Sequence, residues 1–265
     1  MTSRIVVPLD GSEFSETALP VADAIAGSLG ANIHLLAAGW GTTVEELQRY
    51  LDAKATTLHC PTSTGIAPDT FPASAITEVL ETSEDFVVMS THGRSGIGKA
   101  LLGSVAEDVL QRTDRAVVLL GPHASGFTSF DGGLLAITTD GSPTSAVILP
   151  KAASWAKALG MSVRVLTVTA AGGTPLGKDA PEDSSRAAEA AVAFLTEMGV
   201  TAEAVAIIGA NAAHATVEWA NANNIALLAM ATHGRGGIAR TAMGSTAMKV
   251  VHDAHCAVLV QKASL

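Results

Sequence analysis

The sequence predicts an α/β protein of two domains, each a five-stranded parallel sheet of strand order 3-2-1-4-5 with helices on both faces, a Rossmann-like or flavodoxin-like arrangement. Three observations predict it. The stretch Ser90-Thr91-His92-Gly93-Arg94, closed nine residues after its glycine by Gly103-Ser104, returns 141 positions later as Ala231-Thr232-His233-Gly234-Arg235, closed by Gly244-Ser245. Val6 to Ser12, which contains Asp10-Gly11-Ser12, is answered 130 positions later by Ala136 to Ser142, with Asp140-Gly141-Ser142. Between these landmarks short apolar runs alternate with helical patterns in both copies. Such alternation calls for a parallel sheet covered on both faces by right-handed crossovers, and the self-similarity calls for one such sheet per copy.

In the first copy the strand-like runs are Arg4 to Leu9, Asn32 to Ala38, Thr57 to Cys60, Phe86 to Ser90 and Ala116 to Leu120. Glu13 to Leu29 reads as a helix because Ala18, Val21, Ala22, Ile25 and Leu29 recur at three- and four-residue spacings. Thr43 to Ala55, Ala73 to Thr82 and Val105 to Arg112 behave alike. The second copy repeats the order, with strands at Leu134 to Thr138, Ser162 to Val168, Ala202 to Ile208, Ile225 to Ala231 and Ala257 to Val260. Its offset grows from 130 to 141, so it holds about 11 extra residues, which the Gly-, Pro-, Asp- and Ser-rich run Ala170 to Ser185 accommodates as a longer loop. The domains are expected at 1–122 and 132–265.

At 265 residues the chain is long enough for two self-sufficient cores. With 48% hydrophobic but only 4% aromatic residues, those cores are filled by Ala, Val, Leu and Ile. A net charge of -9 excludes a surface built to neutralise nucleic acid. No apolar run reaches the roughly 18 residues of a membrane span, and a strand starting at Arg4 leaves no room before it for a signal peptide. The expectation is a cytoplasmic protein with no membrane partner. Cys60 and Cys256 stand at non-equivalent positions and are expected as reduced, packed thiols. His252, His255 and Cys256 lack a fourth ligand, so no metal site is expected there.

In open parallel sheets ligands bind outside the carboxyl ends of the strands where the winding reverses, here the first and fourth. Both repeated motifs sit there. Gly103-Ser104 opens a helix, whose unpaired N–H groups and dipole suit an anion such as a phosphate, and Gly244-Ser245 keeps the spacing. A second reading makes Ser104 an ordinary N-cap, with Glu107 completing a capping box that satisfies the same donors. In the second copy Met248 replaces that acid and Lys249 follows, so charge favours the second copy for an anion. Asp10 and Asp140 can accept from a ribose or an adenine, or can shape the turn while Ser12 and Ser142 cap the next helix, Pro143 supporting the latter. Arg94 and Arg235 can neutralise a polyphosphate; Lys99 and Arg240 read as solvated loop cations. Gly93 to Lys99 imitates a P-loop but ends in Ala100, without the hydroxyl that holds Mg²⁺. His92 and His233 have no nucleophile beside them and read as orienting groups.

Pro8 to Ser12, Thr91 to Gly96, Leu102 to Glu107 and the closing Ala116 to Leu120 together resemble a universal stress protein domain, and the resemblance covers both halves. Its most specific element is that family's ATP-binding pattern of Gly, two residues, Gly, nine residues, Gly, then Ser or Thr. Ser90 and Ala231, both small, stand where the pattern has its first Gly. The resemblance implies that Asp10 and Asp140 meet the adenosine part, that Pro8 lies near the ribose, with Thr138 in its place in the second half, and that Ala38 and Val168 flank the adenine. It places Gly93, Gly103, Ser104 and Val105, with Gly234, Gly244, Ser245 and Thr246, around the phosphates. It also implies that the two terminal strands pair or cross about a pseudo-two-fold axis inside the chain, an intramolecular pseudo-dimer linked by Gly121 to Gly133, with a homodimer as a further step.

The leading function is then a stress-response regulator that binds ATP, alone or with Mg²⁺, without appreciable turnover and alters its contacts with a regulatory protein partner. It is expected not to be an enzyme, because the motifs hold no paired catalytic carboxylates, metal cluster or activated nucleophile. The alternatives are a nucleotide-free interaction scaffold of the same fold and a weak ATPase.

Overall fold

The computed structural model describes residues 3–39, 43–82, 84–93, 102–124, 129–169, 184–233 and 243–262. The first half contributes strands β1 (Arg4–Pro8), β2 (Asn32–Gly39), β3 (Thr62–Pro68), β4 (Phe86–Ser90) and β5 (Val117–Leu120). The second contributes β6 (Leu134–Thr138), β7 (Ser162–Thr169), β8 (Ala202–Ile208), β9 (Leu227–Ala231) and β10 (Ala257–Gln261). They form one ten-stranded sheet in the order β3-β2-β1-β4-β5-β10-β9-β6-β7-β8, so each half has the expected order 3-2-1-4-5. Every position of β4 and β9 is buried, as helices on both faces require, whereas the edge strands β3 and β8 carry exposed residues.

The halves join where β5 and β10 run antiparallel, pairing Val117 with Val260, Val118 with Leu259 and Leu119 with Val258. All six side chains are fully buried. Val118 and Leu259 are the same position in the two copies and face each other, so a pseudo-two-fold axis passes between them. A two-fold normal to the sheet makes its neighbouring strands antiparallel, which is the expected intramolecular pairing. Phe86 of the first half packs against Trp155 of the second with ring centres 4.9 Å apart and planes inclined at 57°, and Lys151 reaches Glu84 at 3.3 Å. One apolar cluster runs across the junction from Ile5 through Val118 and Leu259 to Leu135. Phe130, within the expected linker, is 2% exposed and belongs to this cluster, so the connection is anchored and is not a loose tether.

The helices are α1 (Glu13–Glu16), α2 (Ala18–Leu29), α3 (Val44–Ala55), α4 (Pro72–Glu78), α5 (Ser104–Arg112), α6 (Pro143–Ala146), α7 (Leu149–Ala158), α8 (Ser184–Glu197), α9 (Ala212–Ala222) and α10 (Ser245–Asp253). The single helix expected over Glu13 to Leu29 is two, broken at Thr17. Pro20 lacks an N–H and its ring collides with the carbonyl four residues back, that of Glu16; Pro150 breaks the second copy between α6 and α7 in the same way. The third strand, expected at Thr57 to Cys60, lies at Thr62–Pro68. Thr57 and Leu58 instead close the end of α3, their N–H groups bonded to the carbonyls of Lys54 and Ala55. The helix expected to continue to Thr82 ends at Glu78, because the Asp85 carboxylate accepts from the N–H groups of Glu81 and Thr82. The long loop expected at Ala170 to Ser185 falls almost wholly outside the described residues.

Both cysteines are free thiols. Burial, then Asp23, pushes the Cys60 thiol up, and burial pushes Cys256 to about 12, so both stay protonated and unreactive. Among the described residues no helix is long and apolar enough to cross a membrane.

Candidate functional site

Strand order reverses between β1 and β4, and beyond their carboxyl ends lies a cavity of about 440 Å³. Pro8, Asp10, Ala38, Ser90, Gly93, Gly103, Ser104 and Val105, singled out from the sequence, all line it. They come from the ends of β1, β2 and β4 and the start of α5. Arg94 of the first half lies outside the described residues, as do Gly234 and Arg235 of the second. Leu36 of β2, Leu47 of α3, and Pro72 and Ile76 of α4 also line the cavity and were not readable as site residues, since they lie in parts of the chain without motifs.

The cavity has two unlike ends. Leu36, Ala37, Ala38, Leu47 and Ile76 give it an apolar side, suited to a flat ring. At the other end stands the N-terminus of α5. Its N-cap is Gly103, with no side-chain cap, and Ser104 is the first helical residue and exposed. This overturns the capping-box reading: Glu107 simply donates its N–H to the Gly103 carbonyl at 3.0 Å. The N–H groups of Ser104, Val105 and Ala106 have no carbonyl one turn back and bond no other described residue. Helix geometry thus leaves three donors and the positive end of a dipole facing the cavity.

Asp10 serves the turn and the cavity together. Its Oδ1 accepts from the Ser12 N–H at 3.0 Å and the Ser12 hydroxyl at 2.6 Å, and Ser12 in turn accepts from the Ser15 N–H to cap α1. Oδ2 points across to the β4 loop, where a Cβ on Gly93 would sit 2.2 Å from it. Gly93 is therefore glycine for space. Asp140 repeats the turn, with the Ser142 N–H at 2.9 Å and hydroxyl at 2.5 Å, and Pro143 opens α6 as the sequence predicted.

The Ser90 hydroxyl donates to the His92 carbonyl at 2.7 Å, bracing the loop where the family pattern has its first Gly. Ala231 has no such brace. The Thr91 hydroxyl meets His92 Nδ1 at 2.9 Å and also bonds the Leu120 carbonyl; Thr232 meets His233 Nδ1 at 3.2 Å. Both imidazoles are thus held by the preceding threonine. In the second half Val168, next to last in β7, is half-buried, Ala231 ends β9 at 6% exposure, and Ser245 and Thr246 open α10 exposed behind the N-cap Gly244. Lys249, which had made the second copy the better anion site, instead pairs with Asp253 at 2.7 Å. Its charge is spent along α10. Thr167 takes the place of Ala37, and its hydroxyl is buried with no hydrogen-bond partner.

The two N-cap glycines differ in a measurable way. A Cβ on Gly103 would lie 2.4 Å from the Thr91 carbonyl oxygen, a backbone atom that cannot turn aside, whereas on Gly244 it would meet the Thr232 oxygen at an ordinary 3.4 Å. Neither has a positive φ. Gly103→Ala is expected to cost about 2 kcal/mol in urea unfolding and Gly244→Ala close to nothing. Equal losses would contradict this account.

The family model of universal stress proteins matches residues 43–121 and 135–262. No curated protein matches the sequence. Among solved structures, a putative universal stress protein from Pseudomonas aeruginosa UCBPP-PA14 aligns over 98% of this chain and 93% of its own, with TM-score 0.70 and 19% identity. A universal stress protein from Archaeoglobus fulgidus DSM 4304 aligns over 98% and 96%, with TM-score 0.71 and 18% identity. At such identities these structures attest the fold, and they do so across both halves. With the family model matched on both sides of the β5–β10 seam, the chain belongs to the universal stress protein family as a tandem two-domain member.

Proposed function

We propose that the chain binds an adenine nucleotide, ATP, in the cavity at the β1–β4 switch point, holds it without appreciable turnover, and regulates a protein partner according to occupancy. One observation carries this reading: a single cavity joins an apolar side at the end of β2 to the unpaired N-terminus of α5. Its volume of about 440 Å³ falls within the roughly 300–1,000 Å³ of small-molecule sites. The apolar side suits the base, Asp10 at mid-length suits a ribose hydroxyl, and the N–H groups of Ser104, Val105 and Ala106 suit phosphate oxygens. Binding without turnover is supported by the state of the two hydroxyls at the end of β4. Ser90 is committed to a carbonyl, and Thr91, though bonded to His92, is 2% exposed and also bonded to Leu120, so it has no line of attack.

The test is to denature freshly purified chain, quantify released adenine nucleotide, and measure ATP uptake with Mg²⁺ in wild type and Ser104→Asp. An acid at the first helical position suits the dipole but repels a phosphate. The variant is therefore expected to keep its unfolding midpoint and lose about tenfold or more in affinity. Ser245→Asp gives the same readout for the second half. A wild-type chain that releases no nucleotide and takes up none would overturn the reading.

A further inference from the structure

Where the two halves meet, four histidines from three separate stretches of the chain gather. His92 follows β4, His123 follows β5, His252 lies in the last turn of α10 and His255 just beyond it. The rings of His123 and His252 have centres 5.5 Å apart and are inclined at 74°. His255 lies 6.4 Å from His123, and His92 lies 6.2 Å from His252. A ring nitrogen of His123, one of His252 and a carboxylate oxygen of Asp253 all fall within 4.8 Å of one another.

We propose that His123, His252 and Asp253 bind a divalent transition-metal ion, Zn²⁺ by ligand type, which ties the segment after β5 to the end of α10. Two imidazoles and a carboxylate are the protein ligands of an open zinc site. The geometry agrees. With Zn–N near 2.1 Å, two imidazoles on one tetrahedral ion have centres about 5 Å apart and ligand atoms about 3.4 Å apart, so the rings need only close in by a small movement. His252 Nδ1 and Asp253 Oδ1 already stand 2.7 Å apart, so this pair needs only to open toward about 3.4 Å to share one ion. The C-terminal end of α10 favours a cation through its dipole. The close passage of Gly121 over the Val251 carbonyl is what carries His123, two residues on, to His252.

The site is not a product of the repeat. The positions 141 earlier than His252, Asp253 and His255 are Gln111, Arg112 and Asp114. There the pseudo-symmetric chain is closed by Lys262, bonded to the Gln111 carbonyl at 3.0 Å and paired with Asp114 at 3.3 Å. Lys249 also bears on the chemistry, because its Nζ sits 2.7 Å from Asp253 Oδ2 and competes with an ion for that carboxylate.

The experiment is a Co²⁺ titration of the full untagged chain, without nucleotide, followed by visible absorption and by Zn²⁺ displacement. The expected result is one tetrahedral Co²⁺ per chain, displaced by Zn²⁺. Affinity should fall at least about tenfold in His123→Ala and in His252→Ala and should rise in Lys249→Ala. It should not change in His214→Ala, an exposed histidine paired only with Glu218 one turn on. His123 is exposed, so its variant leaves the core intact. Absence of binding by the wild-type chain, or equal affinity in wild type and His123→Ala, would overturn the proposal. Weaker binding in Lys249→Ala would remove Asp253 from the ligand set as proposed and overturn it too.

Discussion

Gly121→Ala is expected to lower the stability of the chain by about 3 kcal/mol, seen as an earlier urea midpoint. A Cβ there would lie 1.9 Å from the Val251 carbonyl oxygen, 3.0 Å from its carbon and 3.1 Å from the His252 oxygen. None of these is a side-chain atom that could rotate away. Val250 and Val251 are fully buried under the last turn of α10, and β5, which ends one residue before Gly121, is pinned by β10. Either the helix end or the seam must move. The second copy carries Lys262 at this position, with its side chain led away to Gln111. The close approach is therefore a feature of one side of the pseudo-two-fold. A loss smaller than about 0.5 kcal/mol would show that the junction yields more easily than its packing indicates.

Asp85→Ala is expected to cost a similar amount, about 3 kcal/mol near neutral pH, and to do so in a pH-dependent way. The side chain of Asp85 is 2% exposed. Its Oδ1 accepts from the Arg4 N–H at 3.0 Å and the Thr82 hydroxyl at 2.8 Å, and Oδ2 from the N–H groups of Glu81 at 2.9 Å and Thr82 at 3.0 Å. The Arg4 guanidinium stands 3.8 Å away. Burial acts against the charge, but the donors from Thr82, Arg4 and Glu81 outweigh it and hold this carboxyl below its ordinary 3.8. A carboxyl whose folded pKa is lowered stabilises the fold above its unfolded value and loses that contribution as pH falls through the folded one. The difference between wild type and Asp85→Ala should thus be full at pH 7 and narrow below 3.8. A difference that stayed constant into that acid range would rule out the charge as its cause. The second copy has Ala226 here, bonded through its N–H to Leu134, so this acid sensitivity belongs to the first half.

Much of the architecture was legible because it is written in near neighbours. Alternating apolar runs and the twofold return of Asp-Gly-Ser and Thr-His-Gly lead to two copies of a 3-2-1-4-5 sheet, and β4 and β6 fall on the residues expected of them. In the first half Pro8, Asp10, Ala38, Ser90, Gly93, Gly103, Ser104 and Val105 meet around one cavity, since turn chemistry and strand ends are local properties and the parallel topology collects them at one edge. The misplaced third strand shows where this fails. Thr62 to Pro68 is an edge strand with Gly65 and Pro68 in it, and edge strands need little hydrophobic pattern because only one neighbour and one face hold them.

What the residues in order could not disclose are the meetings of segments far apart in the chain. Gly103 was readable as a helix opener, but its difference from Gly244 depends on a carbonyl distance across a loop. Asp85 gave no motif, because its donors come from Arg4 as well as from the turn beside it. His123 lies in a connecting segment and acquires its neighbours only when β5 and β10 pair and bring the end of α10 beneath it. Periodicity and capping report which element a residue joins. Close packing of those elements sets which backbones touch, which charges are shared and which ligands converge, and small differences there separate two halves that share one motif.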